Sequence, residues 1–161
     1  MEIHSLGRSI QYGKLKPASL FVFRVDEKLA LGFRLAQNEY RFAAVTFTHP
    51  PSKSEQLPSL VTDSFFKEDD PTVFEYEMIS ISPGQEFSKM QSGQWPAGVF
   101  ISTTDGHFLS CVREGKSYNV NWSSGEIDHR SQRPAYWTPH WKISDRFGNA
   151  IAFGPHNIIR S

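Results

Sequence analysis

Residues 98–122 read GVFISTTDGHFLSCVREGKSYNVNW, and the reading of this stretch decides the fold. Two dipeptides interrupt its alternating apolar pattern, Asp105-Gly106 and Glu114-Gly115. Glycine accepts the positive φ of a type I′ turn, so Asp-Gly between apolar runs signals a hairpin. Glu114-Gly115 is a weaker signal of the same kind. The stretch therefore predicts a three-stranded antiparallel meander. Two-residue turns would set Thr104 opposite His107, Ser102 opposite Leu109 and Phe100 opposite Cys111. Across the second turn Cys111 would face Tyr118, Leu109 would face Val120, and His107 would face Trp122. One face then carries Phe100, Leu109, Cys111, Tyr118, Val120 and Trp122 and is expected against the core. The other mixes Val99, Ile101, Phe108 and Val112 with serine and asparagine.

Upstream, Ser19–Val25 (SLFVFRV) is apolar on both faces and reads as a central strand covered above and below. Leu29–Leu35 puts Leu29, Leu31, Phe33 and Leu35 on one face, with Gly32 marking a bulge or a close backbone approach. Tyr40–Phe47 completes a second meander, and Ile10–Tyr12 reads as a short edge strand. Residues 48–71 break the pattern. Within them Pro58–Lys67 predicts a short helix with Pro58 at its start. This excursion is either a surface crossover or a binding loop, and composition does not separate the two. Thr72–Ser82 is the longest strand candidate. Its apolar phase flips between Met78 and Ile79, which calls for a bulge or a bend from one sheet to another.

Downstream, residues 127–136 are irregular and basic. Trp137–Ile143 reads as a strand, placed at an edge by Pro139. Asp145–Gly148 is a turn, and Asn149–Phe153 closes a final hairpin that brings Ile143 near Ile151. The fold expected is a single all-β domain over residues 1–161, an antiparallel β-sandwich or flattened barrel of about nine strands. At most one short helix is expected, near 58–67.

Charge narrows the function classes. The 17 basic and 17 acidic residues cancel, which disfavours a generic nucleic-acid binder. Residues 129–161 carry five basic groups and one acidic group, so a local anionic contact stays in view there. The lone Cys111 excludes an internal disulfide and fits a reducing compartment. No apolar run reaches the roughly 20 residues of a membrane helix, and the N-terminus shows no apolar core of a signal peptide. The expectation is a cytoplasmic protein without membrane contact.

Catalytic and cofactor signatures are missing from the sequence. Its six histidines (His4, His49, His107, His129, His140 and His156) show no metal-ligand spacing. His107 and Cys111 would share a strand face about 13 Å apart, too far for a thiol–imidazole pair. Glu75 and Glu77 alternate with Phe74 and Tyr76, as on any strand with one wet face. The charge run Lys67–Asp70 reads as a solvated turn. No P-loop, dinucleotide fingerprint or nucleophile elbow occurs. The sequence thus leans away from an enzyme and implies no cofactor or metal.

What remains is the aromatic cluster PAYWTPHW with two arginines upstream. Arg130, Arg133, Tyr136, Trp137, His140 and Trp141 are the candidate contact residues. On one strand Trp137 and Trp141 would share a face about 13 Å apart, either as a stacking platform or as core residues of an edge strand. The expected function is a binding or assembly module that engages a protein partner or another copy of itself through this surface. The alternative is a small-ligand or carbohydrate site, or a hydrolase, lined by Tyr136, Trp137 and Trp141.

Overall fold

The computed structural model describes residues 7–25, 28–47, 58–66, 69–76, 79–84, 86–90, 96, 98–128 and 135–154. In chain order its strands begin with β1 (Gly7–Gln11), β2 (Leu20–Val25), β3 (Lys28–Arg34), β4 (Phe42–Thr46) and β5 (Ser59–Thr62). They continue with β6 (Thr72–Tyr76), β7 (Ser80–Pro83), β8 (Ser88–Met90), β9 (Phe100–Thr103) and β10 (Gly106–Arg113). The last five are β11 (Lys116–Asn121), β12 (Ile127–Asp128), β13 (Ala135–Thr138), β14 (Trp141–Ser144) and β15 (Ala150–Gly154). The chain is all-β; among the described residues its helical segments are two single 3-10 turns, Tyr12–Lys14 and Asp63–Phe65.

The predicted meander is β9–β10–β11, and β10 is the hub of the larger sheet. Its one edge carries β9 along Gly106–Leu109 and then β5, in parallel, at Val112. Its other edge carries β11, with Leu109 opposite Val120 and Cys111 opposite Tyr118 as expected. The first turn differs by two residues. Ser102 faces His107 and Phe100 faces Leu109. The reason is the Thr103 hydroxyl, which accepts the Asp105 N–H at 3.1 Å and centres the turn on Thr104-Asp105. A slip of two preserves every side chain's face, so the core face is the predicted one.

The twelve strands of the larger sheet run β1-β6-β2-β3-β4-β5-β10-β9-β13-β8, with β11 and β12 branching from β10. A second sheet has the order β15-β14-β7. Thr72–Tyr76 and Ser80–Pro83 pair in different sheets, as a change of sheet within 72–82 requires, while Met78 itself lies outside the described residues. β6 pairs with β1 and β2 in the larger sheet, and β7 pairs with β14 in the smaller. The chain crosses again at Pro139-His140. The single strand expected over Trp137–Ile143 is therefore two strands in different sheets, β13 and β14. The helix expected near 58–67 is likewise a strand, β5, with Leu60 opposite Val45. Leu60 and Val61 bury toward opposite faces, a period of two rather than of 3.6. Short strands at 88–90 and 127–128, together with these splits, raise the count above the nine expected.

Burial explains the pattern. β2 sends Leu20 to one side and Phe21 to the other, both fully buried, as its two-sided apolar sequence requires. The larger core, from Leu20 through Phe33, Phe47, Phe100 and Val120 to Trp141, Ile143 and Ile151, takes side chains from both sheets. A second core lies on the opposite face of β2–β5 and is lidded by Tyr12, Leu15 and Phe66 from the 3-10 turns. Each fully buried phenylalanine contributes about 1.5–3 kcal/mol relative to exposure. Phe21 and Gly32 are direct cross-strand partners. A Cβ at Gly32 would lie 2.5 Å from the Phe21 ring, so this glycine is a close approach and not a bulge.

Gly32→Ala is expected to cost about 1–3 kcal/mol through overpacking, read as a lower urea midpoint at unchanged m. A second expectation concerns Tyr12. Burial pushes its hydroxyl up to about 12, opposed by the Arg34 guanidinium 4.1 Å over the ring. The raised value stabilises the fold below the ordinary tyrosine value of 10.0 and this contribution is lost as pH rises through about 12. Tyr12→Phe should flatten the alkaline fall of the urea midpoint in that window.

Candidate functional site

Three turns that are far apart in sequence close around one open groove of about 550 Å³. The first links β3 to β4, the second links β9 to β10, and the third links β11 to β12. Each is fixed by a side chain that substitutes for backbone hydrogen bonding. Asn38 donates to the carbonyls of Ala36 and Phe42 at 2.9 and 2.8 Å and accepts the Phe42 N–H. The Thr103 hydroxyl sets the second turn, as described above. Asn121 accepts the N–H groups of Ser123 and Ser124 at 2.9 and 3.2 Å. The first and third turns are then tied together, because Ala36 N–H donates to Gly125 O at 2.9 Å.

The groove's chemistry is acidic and aromatic. Glu39, Asp105, Glu126 and Asp128 line it, with Tyr40 and Phe108 as its rings. Gln37, Asn38 and Asn121 add amides among the described lining residues. Tyr40 is held by neighbours: its ring stacks on Phe42 at 5.5 Å and meets Tyr118 edge-on at 5.3 Å. Burial first, and then the Glu39 carboxylate, push the Tyr40 hydroxyl up, so it stays neutral at physiological pH. The Ser124 hydroxyl donates to Glu126 at 3.2 Å and aims that side chain. Carboxylates around a π-face suit a cation, which gains both Coulomb attraction and a ring contact.

The described residues among those expected from the sequence occupy different surroundings. Arg130 and Arg133 lie outside the described residues. Tyr136 is 52% exposed, and its cross-strand partners are Lys89 and Ser102. Trp137 is half-buried against Val99, Ile101, Phe108 and Ala135 on the other face of the sheet. His140 is exposed, but its carbonyl accepts the Gly84 N–H at the crossing into the second sheet. Trp141 is buried and donates its indole N–H to Gly98 O at 2.8 Å. The platform of two tryptophans on one strand is thereby corrected: they sit in different sheets, and Trp141 belongs to the core.

Other candidates resolve into structure. Glu75 accepts Arg8 Nε and the Ser19 hydroxyl, each at 2.9 Å, while Glu77 lies outside the described residues. Cys111 is buried, which pushes its thiol up and keeps it protonated. Among the described residues no group of three or more His, Cys, Asp or Glu converges as a metal site. The groove was missed because its residues come from 37–40, 105–108 and 121–128 and meet only through folding. The available signal was local: Asn38 sits in a turn sequence next to Glu39, and Asn121 opens the turn sequence that runs to Glu126.

Known proteins add nothing to this geometry: no family model, no curated protein and no solved structure matches the chain.

Gly125 tests the groove's construction. It has φ +73°, and a Cβ there would lie 2.9 Å from both Ala18 N and Arg34 O. Gly125→Ala is expected to cost about 1–3 kcal/mol and to shift the amide resonances of Asn38 and Glu126 together. A variant as stable as the parent would show that the turn does not dock as described.

Proposed function

We propose that this chain is a non-enzymatic binding module whose acidic, aromatic groove takes a cationic segment of a protein. What supports the reading is the described lining itself: four carboxylates and two rings on turns held by their own hydrogen bonds. Preorganised turns lose little entropy on binding, and a single-signed groove raises the encounter rate of an oppositely charged segment. Surface charges of this kind act over about 10 Å at 0.1 M salt, so recognition is salt-sensitive. This moves the contact surface away from residues 129–141, where Tyr136 and His140 are the exposed ones among the described candidates.

We read the architecture beneath it as one domain of sandwich type, supported by a core that draws side chains from both sheets. The twelve-stranded sheet departs from a simple antiparallel sandwich at the parallel β5–β10 contact. A buried, protonated cysteine supports a cytoplasmic setting, and no helix among the described residues is long and apolar enough to cross a membrane.

The test is a fluorescence titration with a short labelled Lys/Arg-rich peptide, beside an acidic peptide of equal length. The cationic peptide should bind, and Glu126→Gln or Tyr40→Ala should each weaken it by about tenfold, or about 1.4 kcal/mol. Raising salt from about 50 to about 300 mM should weaken it further. Equal binding of the acidic peptide, or indifference to both substitutions, ends this reading.

A further inference from the structure

On the face of the larger sheet that carries the main core, one row of cross-strand partners lies beyond the packed residues. Lys89 on β8 pairs with Tyr136 on β13, Tyr136 with Ser102 on β9, and Ser102 with His107 on β10. Direct partners on antiparallel strands share a face, so these four side chains stand in line across four adjacent strands. At about 4.8 Å between strands the row is about 14 Å long. Two residues away along β13, β9 and β10, the same face is core: Thr138, Phe100 and Leu109 are buried. The row itself is wet. Tyr136 is more than half exposed, and Lys89 and His107 are exposed as well. The His107 ring is seated against Phe100, with centroids 5.3 Å apart. Tyr136 is held by ladder partners on both sides.

An exposed tyrosine alone needs no explanation. This one lies between an ammonium group and two hydrogen-bonding groups, the Ser102 hydroxyl and the His107 imidazole, and no member of the row is acidic. A tyrosine ring offers a flat face with few torsions to freeze, which suits the face of a nucleobase or a sugar ring. Lysine is a point charge suited to phosphate. We propose that the row binds a small ring compound carrying a single phosphate. The ring lies on Tyr136, the phosphate meets Lys89, and the polar edge of the ring faces Ser102 and His107. Nucleotides and sugar phosphates share this chemistry. One lysine matches one phosphate, whereas a polyanion needs a broad cationic surface, which a balance of 17 basic and 17 acidic residues does not favour. The row is open rather than enclosed, so affinity should be modest, with a Kd near about 1 mM.

Amide resonances of the isotope-labelled chain, followed as adenosine monophosphate or glucose-6-phosphate is added to about 10 mM, provide the test. At least one of the two should shift Tyr136, Ser102 and His107 together, and which one does so assigns the ring as base or sugar. Adenosine, glucose and inorganic phosphate each lack one half of the ligand and should bind about fivefold more weakly or worse. Tyr136→Ala should weaken binding by about tenfold, and Tyr136→Phe should keep most of it because the ring face is retained. Lys89→Gln should weaken the phosphorylated compound by about fivefold and leave its unphosphorylated counterpart unaffected. Both side chains are exposed, so each variant should keep the parent's far-UV circular dichroism. Inorganic phosphate that binds as tightly as either ring compound, shifts that map away from the row, or no shift from either compound overturns the proposal. Indifference to both Tyr136→Ala and Lys89→Gln overturns it too. The row shares no residue with the described lining of the groove, so the peptide titration above stands or falls separately.

Discussion

Phe33 and Trp122 stack face to face, with ring centroids 4.3 Å apart and planes 14° from parallel. This contact fastens the meander of the first half of the chain to that of the second. Offset aromatic pairs add about 0.5–1.5 kcal/mol beyond the area they bury. Position matters more here than magnitude. Trp122 directly follows β11, and Phe33 sits near the end of β3, so the turns beyond them are delivered to one place. The Ala36–Gly125 hydrogen bond and the groove are consequences of that delivery. Phe47 meets both Trp122 and Trp141, at 6.4 and 6.0 Å, which carries the same fastening into the smaller sheet.

Local sequence was a good guide wherever a strand's neighbours were its chain neighbours. β2–β3 and β10–β11 pair as alternation and turn dipeptides imply. A change of sheet within 72–82 was legible from the sequence pattern, because period-two burial cannot reverse within one flat strand, and β6 and β7 do pair in different sheets. Local sequence failed where a side chain altered the turn or where partners were remote. Thr103 moved the first hairpin by two residues with its hydroxyl. Pro139 was legible as a disturbance, yet the sequence could not say that the strand stops there and resumes elsewhere. Leu60-Val61 fits a short helix as well as a strand until β4 and β10 are in place on either side.

The candidate site was less legible than the fold for the same reason. Aromatic density drew attention to residues 136–141, but composition does not distinguish a ring that fills a core from one that meets solvent. Trp141 satisfies its indole N–H inside, whereas Tyr136 is 52% exposed. The groove residues are unremarkable individually. Their common sign becomes a property only when the β3–β4, β9–β10 and β11–β12 turns share a location, and tertiary packing decides that.

The smaller sheet also bears on how the polypeptide assembles during synthesis. β7 finds its ladder in β14, so Ser80–Pro83 must wait for residues 141–144 to leave the ribosome. Until then Ser80–Pro83 lacks the β14 ladder it pairs with. Such long-range closure is slow, and exposed strand segments invite contact with other nascent chains. Pro83 within β7 lacks an N–H to offer a stranger's ladder. The short length of that strand and its proline shield the unfinished protein through the interval.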